Sequence, residues 1–236
     1  MNGILMIILG FLNFLPRAES DEACRSKLLR HLKTLNRQAS AKAASAQTLR
    51  VEVLAKSKRG RVSAVKWITY FHNGHETYVK TETQAPSKVM TEFYMNSSER
   101  VIVLSSAKRI IVDSSSFDFE NESKVSGLVG DRMAEYVDSL QNIRCTEDKG
   151  TLRVNFEYLP SISRELRVAE MSYQFDVRSS RMKSLYTGYV PSAPYVWQNV
   201  EFLPPSFPMP KGSLRNLIFP KGVLRPDIKN FQIVKK

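Results

Sequence analysis

The chain lacks an apolar run long enough to cross a bilayer as a helix. Its N-terminal run, Ile4–Leu15, is twelve residues, and at about 1.5 Å per residue it covers ~18 Å of a ~30 Å hydrocarbon core. Histidine and cysteine are also scarce, with three and two in 236 residues. There is no HExxH, nucleophile elbow, phosphate-binding loop or dinucleotide-binding glycine fingerprint. An enzyme is therefore not expected, nor a cofactor. His72 and His75 bracket Asn73-Gly74, with Glu76 adjacent. Zinc needs a further protein ligand, and none stands at a recognisable spacing. The pair is expected to flank a turn, without metal.

Negative charge is in short supply. Twenty-three acidic residues face 35 Lys and Arg, a net charge of +12, which attracts anionic partners such as phospholipid headgroups or acidic polymers. The basic residues are scattered, and the densest group, Lys56-Ser57-Lys58-Arg59-Gly60-Arg61, reads as a solvated turn. No basic stripe interleaved with aromatics is present, so nucleic acid is not an expected partner.

What is present begins with a leader. Ile4–Leu15 has the length of a signal-peptide apolar core, Pro16 and Arg17 end it, and Ala18-Glu19-Ser20 offers small residues for cleavage before Asp21. No Lys or Arg precedes that core. Residues 1–20 are read as a signal peptide and 21–236 as one domain, periplasmic or secreted, working as a monomer. Asp21-Glu22-Ala23 before Cys24 does not suit lipid modification, so a soluble mature protein is expected. Cys24 and Cys145 either pair, which closes a long loop and stabilises by ~3–5 kcal/mol, or remain buried thiols. Sequence leaves both open.

Leu28, Leu32 and Leu35 keep helical spacing, which predicts a helix over 22–47. From Leu49 the period becomes two: Leu49, Val51 and Val53 alternate with Arg50 and Glu52. Strands are predicted over 61–71 and 76–82, joined by the Asn73-Gly74 hairpin signal, then over 91–95, 101–104 and 109–112. Connections this short make the arrangement an antiparallel meander. An apolar stripe from Val125 through Leu128, Val129, Met133, Tyr136, Val137 and Leu140 to Ile143 predicts a second helix over 125–143. Strands follow over 152–158, 166–177, 182–190 and 195–202. The prolines crowd from Pro191 onward. This tail, about 203–236, is expected along a sheet edge, with a last strand around Phe231, Ile233 and Val234.

The fold class is therefore α+β: one curved antiparallel sheet, an open half-barrel, with two or more helices on its concave side. Its strands carry many large apolar side chains: Trp67, Phe71, Phe93, Met95, Phe156, Tyr158, Met171, Tyr173 and Phe175, with Tyr186 and Trp197 similarly placed. Such faces either enclose an acyl chain or form an ordinary core against the helices.

The order of parts resembles the periplasmic lipoprotein-carrier (LolA-like) family. The resemblance lies in an exported N-terminal helix leading into a long hairpin. Phe93-Tyr94-Met95-Asn96-Ser97-Ser98-Glu99-Arg100-Val101-Ile102-Val103-Leu104 and Arg109-Ile110-Ile111-Val112 then look like the family's strand, turn and strands. It covers most of residues 25–203 by pattern. The family's proline-and-arginine strand has no counterpart in Glu82–Met95, so no functional arginine is carried over. The resemblance implies an open half-barrel that holds lipid or lipidated protein, with the nine aromatic and methionine positions above as candidate cavity lining. The alternative is a secreted basic protein that binds an anionic envelope polymer or a protein partner, its core filled.

Overall fold

The computed structural model describes residues 20–40, 44–58, 60–84, 88–115 and 136–236. The leader and most of the predicted second helix lie outside these residues. Among the described residues no helix is long and apolar enough to cross a membrane.

A long helix, α1 (Asp21–Ser40), opens the chain, with Asp21 and Glu22 at its positive N-terminal end. Six strands follow: β1 (Ser45–Ser57), β2 (Gly60–His72), β3 (Thr77–Thr83), β4 (Val89–Met95), β5 (Arg100–Leu104) and β6 (Arg109–Asp113). After a 3-10 turn at Val137–Ser139 come β7 (Leu140–Asp148), β8 (Thr151–Tyr158), the short helix α2 (Pro160–Leu166), β9 (Val168–Asp176), β10 (Met182–Tyr189) and β11 (Tyr195–Leu203). The tail makes two further 3-10 turns and ends in β12 (Gln232–Lys235).

The strands form one open sheet in the order β12-β6-β5-β4-β3-β2-β1-β11-β10-β9-β8-β7. Every pairing is antiparallel except that of β12 with β6, where the tail adds a parallel edge strand. The tail thus takes the sheet edge, as expected. The expected single open sheet is present, and the helices pack on one side of it.

The sheet is covered on opposite faces at its two halves. Pairs directly across a ladder share a face, so the registers sort each side chain. Over β7–β11 and β1, the helix-side face carries Cys145, Val154, Tyr173, Leu185, Val200 and Val51 in cross-strand sequence. All six are buried, and Leu28 and Leu32 of α1 join the same cluster. Cys24 and Cys145 form a disulfide, Cα–Cα 5.6 Å, which ties α1 to β7 across 121 residues of sequence. In the chain-entropy picture such a link stabilises by about 4–5 kcal/mol. The guanidinium of Arg25 donates to the Val137 and Leu140 carbonyls beside it.

Over β2–β6 the opposite face is the covered one. Phe71, Tyr78, Tyr94, Val101, Val103 and Ile110 are buried there against Leu214, Ile218, Phe219 and Ile228 of the tail. Three carboxylates hold the tail down. Glu92, fully buried, accepts from the Tyr78 hydroxyl and from Arg225 at 2.6 and 3.0 Å. Glu99 takes both prongs of Arg215 at 2.6 and 3.1 Å. Glu76 accepts from the Ser213 hydroxyl, the Leu214 amide and the Tyr94 hydroxyl.

Several predicted elements shift. The first helix ends at Ser40, not 47, because Ala46 and Gln47 pair with Phe71 and Tyr70 in the β1–β2 ladder. Residues 125–135 of the second predicted helix lie outside the described residues, but 136–143 is a 3-10 turn and the start of β7, not helix. A β-bulge lies between Gln141 and Arg144, with Asn142 at φ 52°. It stretches the gap between buried Leu140 and Ile143 to three residues and so imitates helical spacing. The strand predicted from Leu166 starts at Val168, because Pro160 opens a helix that Arg167 closes in the left-handed region.

Candidate functional site

The helix-side face continues past β1 onto β2–β6, and there its character changes. Five residues stand in register across five adjacent strands: Tyr70 opposite Val79, Val79 opposite Phe93, Phe93 opposite Ile102, and Ile102 opposite Ile111. All five are half-buried, unlike the corresponding row under α1. With strands ~4.8 Å apart, the row is ~19 Å long, comparable to an extended long acyl chain. Val234 of β12 pairs with Ile111 and prolongs it by one strand.

The rows on either side are mixed. Toward one end of the strands lie His72, Thr77, Met95, Arg100 and Asp113, and toward the other Ile68, Thr81, Thr91, Leu104 and Arg109. In the first, His72 Nδ1 lies 3.0 Å from the Thr77 hydroxyl, and Arg100 pairs with Asp113 at 3.1 Å. Burial, followed by the nearby His75 charge, holds the His72 imidazole below its ordinary range. Burial likewise pushes the Tyr70 phenol up, against a hydrogen bond with Thr77. Both stay neutral at pH 7. The result is an apolar strip whose margins carry neutral polar groups and one ion pair toward one end and the exposed Arg109 toward the other.

The nine candidate lining residues divide three ways. Phe93 and Met95 lie on this face, Phe93 in the strip and Met95 fully buried beside it. Phe156, Tyr158, Tyr173 and Phe175 belong to the core packed with α1, and half-buried Met171 packs against it. Their rings fill the space by mutual contact: Phe156 and Tyr173 stack at 5.6 Å, Tyr173 and Phe175 at 5.8 Å, and His31 of α1 stacks on Phe175 at 5.0 Å. Trp67 and Phe71 point to the opposite, tail-covered face, because Phe71 is paired with Tyr78 and Trp67 with Glu82. The nine therefore do not line one cavity. Tyr70, Val79, Ile102 and Ile111 were not picked out from sequence. The signal available was register: once the Asn73-Gly74 and Asn96–Glu99 turns are fixed, counting outward aligns Tyr70 with Val79 and Phe93 with Ile102, while the match of the two pairs to each other depends on the β3–β4 connection.

The His72–His75 turn is organised by its own side chains. Asn73 Oδ1 accepts from the His75 and Glu76 amides at 3.1 and 2.8 Å. Burial raises the Glu76 carboxyl, but donors from Ser213, Leu214, Tyr94 and Asn73 outweigh it and hold the group below its ordinary range. Glu76 is thus committed to the tail. Among the described residues no group of three or more His, Cys, Asp or Glu is arranged to hold a metal. A cleft of about 420 Å³ beside α2 is lined by Gln141, Glu157, Tyr158, Pro160, Ser163, Arg164, Ala169 and Glu170, charged and polar groups interspersed with apolar ones.

No protein-family model matches the chain, and no curated protein matches it. Its architecture is similar to that of several solved structures. An uncharacterized conserved protein from Thermus thermophilus is 10% identical, with 86% of this chain and 98% of that one covered and a TM-score of 0.42. LprF from Mycobacterium bovis is 11% identical, with coverage of 83% and 98% and a TM-score of 0.40. A LolA superfamily protein from Nitrosomonas europaea is 7% identical, with coverage of 77% and 94% and a TM-score of 0.34. These are similarities of overall architecture, and no residue or activity is carried across from them.

Proposed function

We propose that this is an exported, non-enzymatic binding protein that holds an acyl chain of a lipid or lipidated protein along the strip Tyr70-Val79-Phe93-Ile102-Ile111. The observation that supports it is the strip itself, five half-buried apolar residues in register on a face that neither α1 nor the tail fills. Each methylene laid along it leaves water with a gain of about 0.8 kcal/mol when fully buried. Half-burial of a long chain therefore supports micromolar affinity after the cost of ordering it. The other half of the sheet, filled by its own aromatics, acts as a rigid support.

Titration of the protein with a fluorescent fatty-acyl probe tests this. Saturable micromolar binding is expected, and Phe93→Glu should weaken it by roughly 10- to 100-fold, the worth of one buried Phe. Because Phe93 is half-exposed, the variant should fold. Absence of binding by the wild-type protein at any concentration up to about 100 μM overturns the reading.

A further inference from the structure

The antiparallel order sends alternate connections to opposite ends of the sheet. The β1–β2 turn, the β3–β4 and β5–β6 connections, the β8–β9 segment with α2 and the β10–β11 loop all lie at one end. This end is strongly cationic. Lys58, Arg61, Lys88, Lys108, Arg109 and Arg167 are all exposed there. Among the described residues, the carboxylates toward this end are Glu82, held by Lys80 at 3.2 Å, Glu165 next to Arg164 on α2, and Asp138, Glu157 and Glu170 on the β7–β9 side, away from the β1–β2 turn.

The same end exposes apolar side chains at the rim of the helix-side face. Val62 and Tyr195 both pair with Ala55 from its two sides, and they are 40% and 42% exposed. Ala55 itself packs against the α1 core, so Val62 and Tyr195 share that face. Tyr189 stacks obliquely on Tyr195 at 5.6 Å. The loop that carries Tyr195 is fixed to the basic turn by the Lys56 amide on Pro194 O at 2.8 Å and by the Lys56 ammonium on Pro191 O.

We infer that this end is a docking surface for an anionic phospholipid bilayer. The cations draw the protein to the headgroups, and Val62, Tyr189 and Tyr195 enter the interface between them. Cations near an anionic bilayer add roughly equal increments of attraction, and Tyr favours the boundary because its ring is apolar and its hydroxyl wet. An acidic polymer would use the cations but leave exposed Val62 and Tyr195 without a role. The inference goes beyond acyl binding and does not depend on it. It adds that the helix-side face meets the membrane edge-on, with the β2 residues Val62 and Ile68 leading from the rim toward the strip.

Vesicle co-sedimentation tests the inference. Wild-type protein should bind vesicles containing phosphatidylglycerol and fail to bind pure phosphatidylcholine, and binding should weaken with salt. Lys58→Glu with Arg61→Glu should weaken it by roughly 30-fold. Arg178→Glu with Arg181→Glu makes the same charge change on exposed residues at the opposite end, and should weaken it by less than about 3-fold. Val62→Ser with Tyr195→Ser should weaken vesicle binding by roughly tenfold and leave retention on heparin unchanged. Equal weakening by the two charge-reversed pairs overturns the inference, since net charge alone would then act. So does an absence of wild-type vesicle binding, or loss of heparin retention with vesicle binding intact. Acyl-probe titration of the Lys58/Arg61 variant without vesicles should match wild type, which separates this test from that of the strip.

Discussion

The contact between Arg225 and Glu92 is the most consequential single interaction in the tail, and Arg225→Ala measures it. Glu92 is fully buried and takes two guanidinium hydrogen bonds, at 2.6 and 3.0 Å, besides that of Tyr78. Removing the cation leaves a buried carboxylate with one neutral donor, a loss of about 3–5 kcal/mol. For a chain of this length that lowers the unfolding midpoint by roughly 6–20 °C. Asp227 also pairs with Arg225, at 2.9 Å, but its side chain is 56% exposed, so Asp227→Ala should cost no more than about 1 kcal/mol. The pair can also be replaced as a whole. Glu92→Leu with Arg225→Leu removes both charges together and should recover most of the loss, because no uncompensated ion remains. Thermal and urea unfolding followed by circular dichroism would read all three. If Arg225→Ala costs no more than Asp227→Ala, or if the double variant is as unstable as Arg225→Ala, the burial argument is refuted.

Two further outcomes follow from groups under α1. Tyr173 is buried and its hydroxyl has no hydrogen-bond partner among the described residues, so Tyr173→Phe should stabilise the protein by about 1 kcal/mol in urea unfolding, by removing an unmet polar group. His31, bonded to Ser180 at 2.9 Å, is held below its ordinary pKa by burial and then by Arg30 and Lys27, against Glu147. Its folded pKa is the lower one, so its contribution is complete above the unfolded value of ~6.5 and is lost as pH falls through the folded value. Unfolding midpoints followed from about pH 7 to pH 5 should fall for wild type and fall less steeply for His31→Phe, where His72, also held low by burial, keeps its share of the slope.

The strands were legible because one side of each alternates cleanly. Leu152 to Tyr158, for example, is an unbroken alternation, and β8 spans Thr151–Tyr158. The turns were legible where Asn-Gly or Asn-Ser-Ser demanded them. The start of β7 was not, since the bulge at Asn142 replaced a period of two with a gap of three. Nor could α2 be separated from the strand after it, because Arg167 adopts a left-handed conformation that the sequence does not announce. The candidate lining residues suffered from a different limit. Alternation says that Trp67 and Phe71 share a face and that Phe93 and Met95 share one. It does not say whether the two faces coincide, which depends on register across β2, β3 and β4. The tail was legible as an edge element from its prolines, yet its role as cover was not, because Arg225 meets Glu92 across 133 residues.

That cover explains how one sheet presents a binding strip at all. A sheet with both faces apolar must bury both, and α1 is long enough to serve only one half of one face. The tail takes the reverse face of the other half, so Phe71, Tyr78 and Tyr94 are sequestered without any helix among the described residues crossing in front of Tyr70, Val79 and Phe93. The three carboxylates that pin the tail all project from β4 or from the turns at its end of the strands. They hold the tail by charge and hydrogen bonding, not by apolar area that would compete for the strip's own side chains. On this reasoning the stability of the tail and the affinity of the strip are separable properties. Arg225→Ala should lower the unfolding midpoint yet leave acyl-probe affinity at temperatures well below it unchanged.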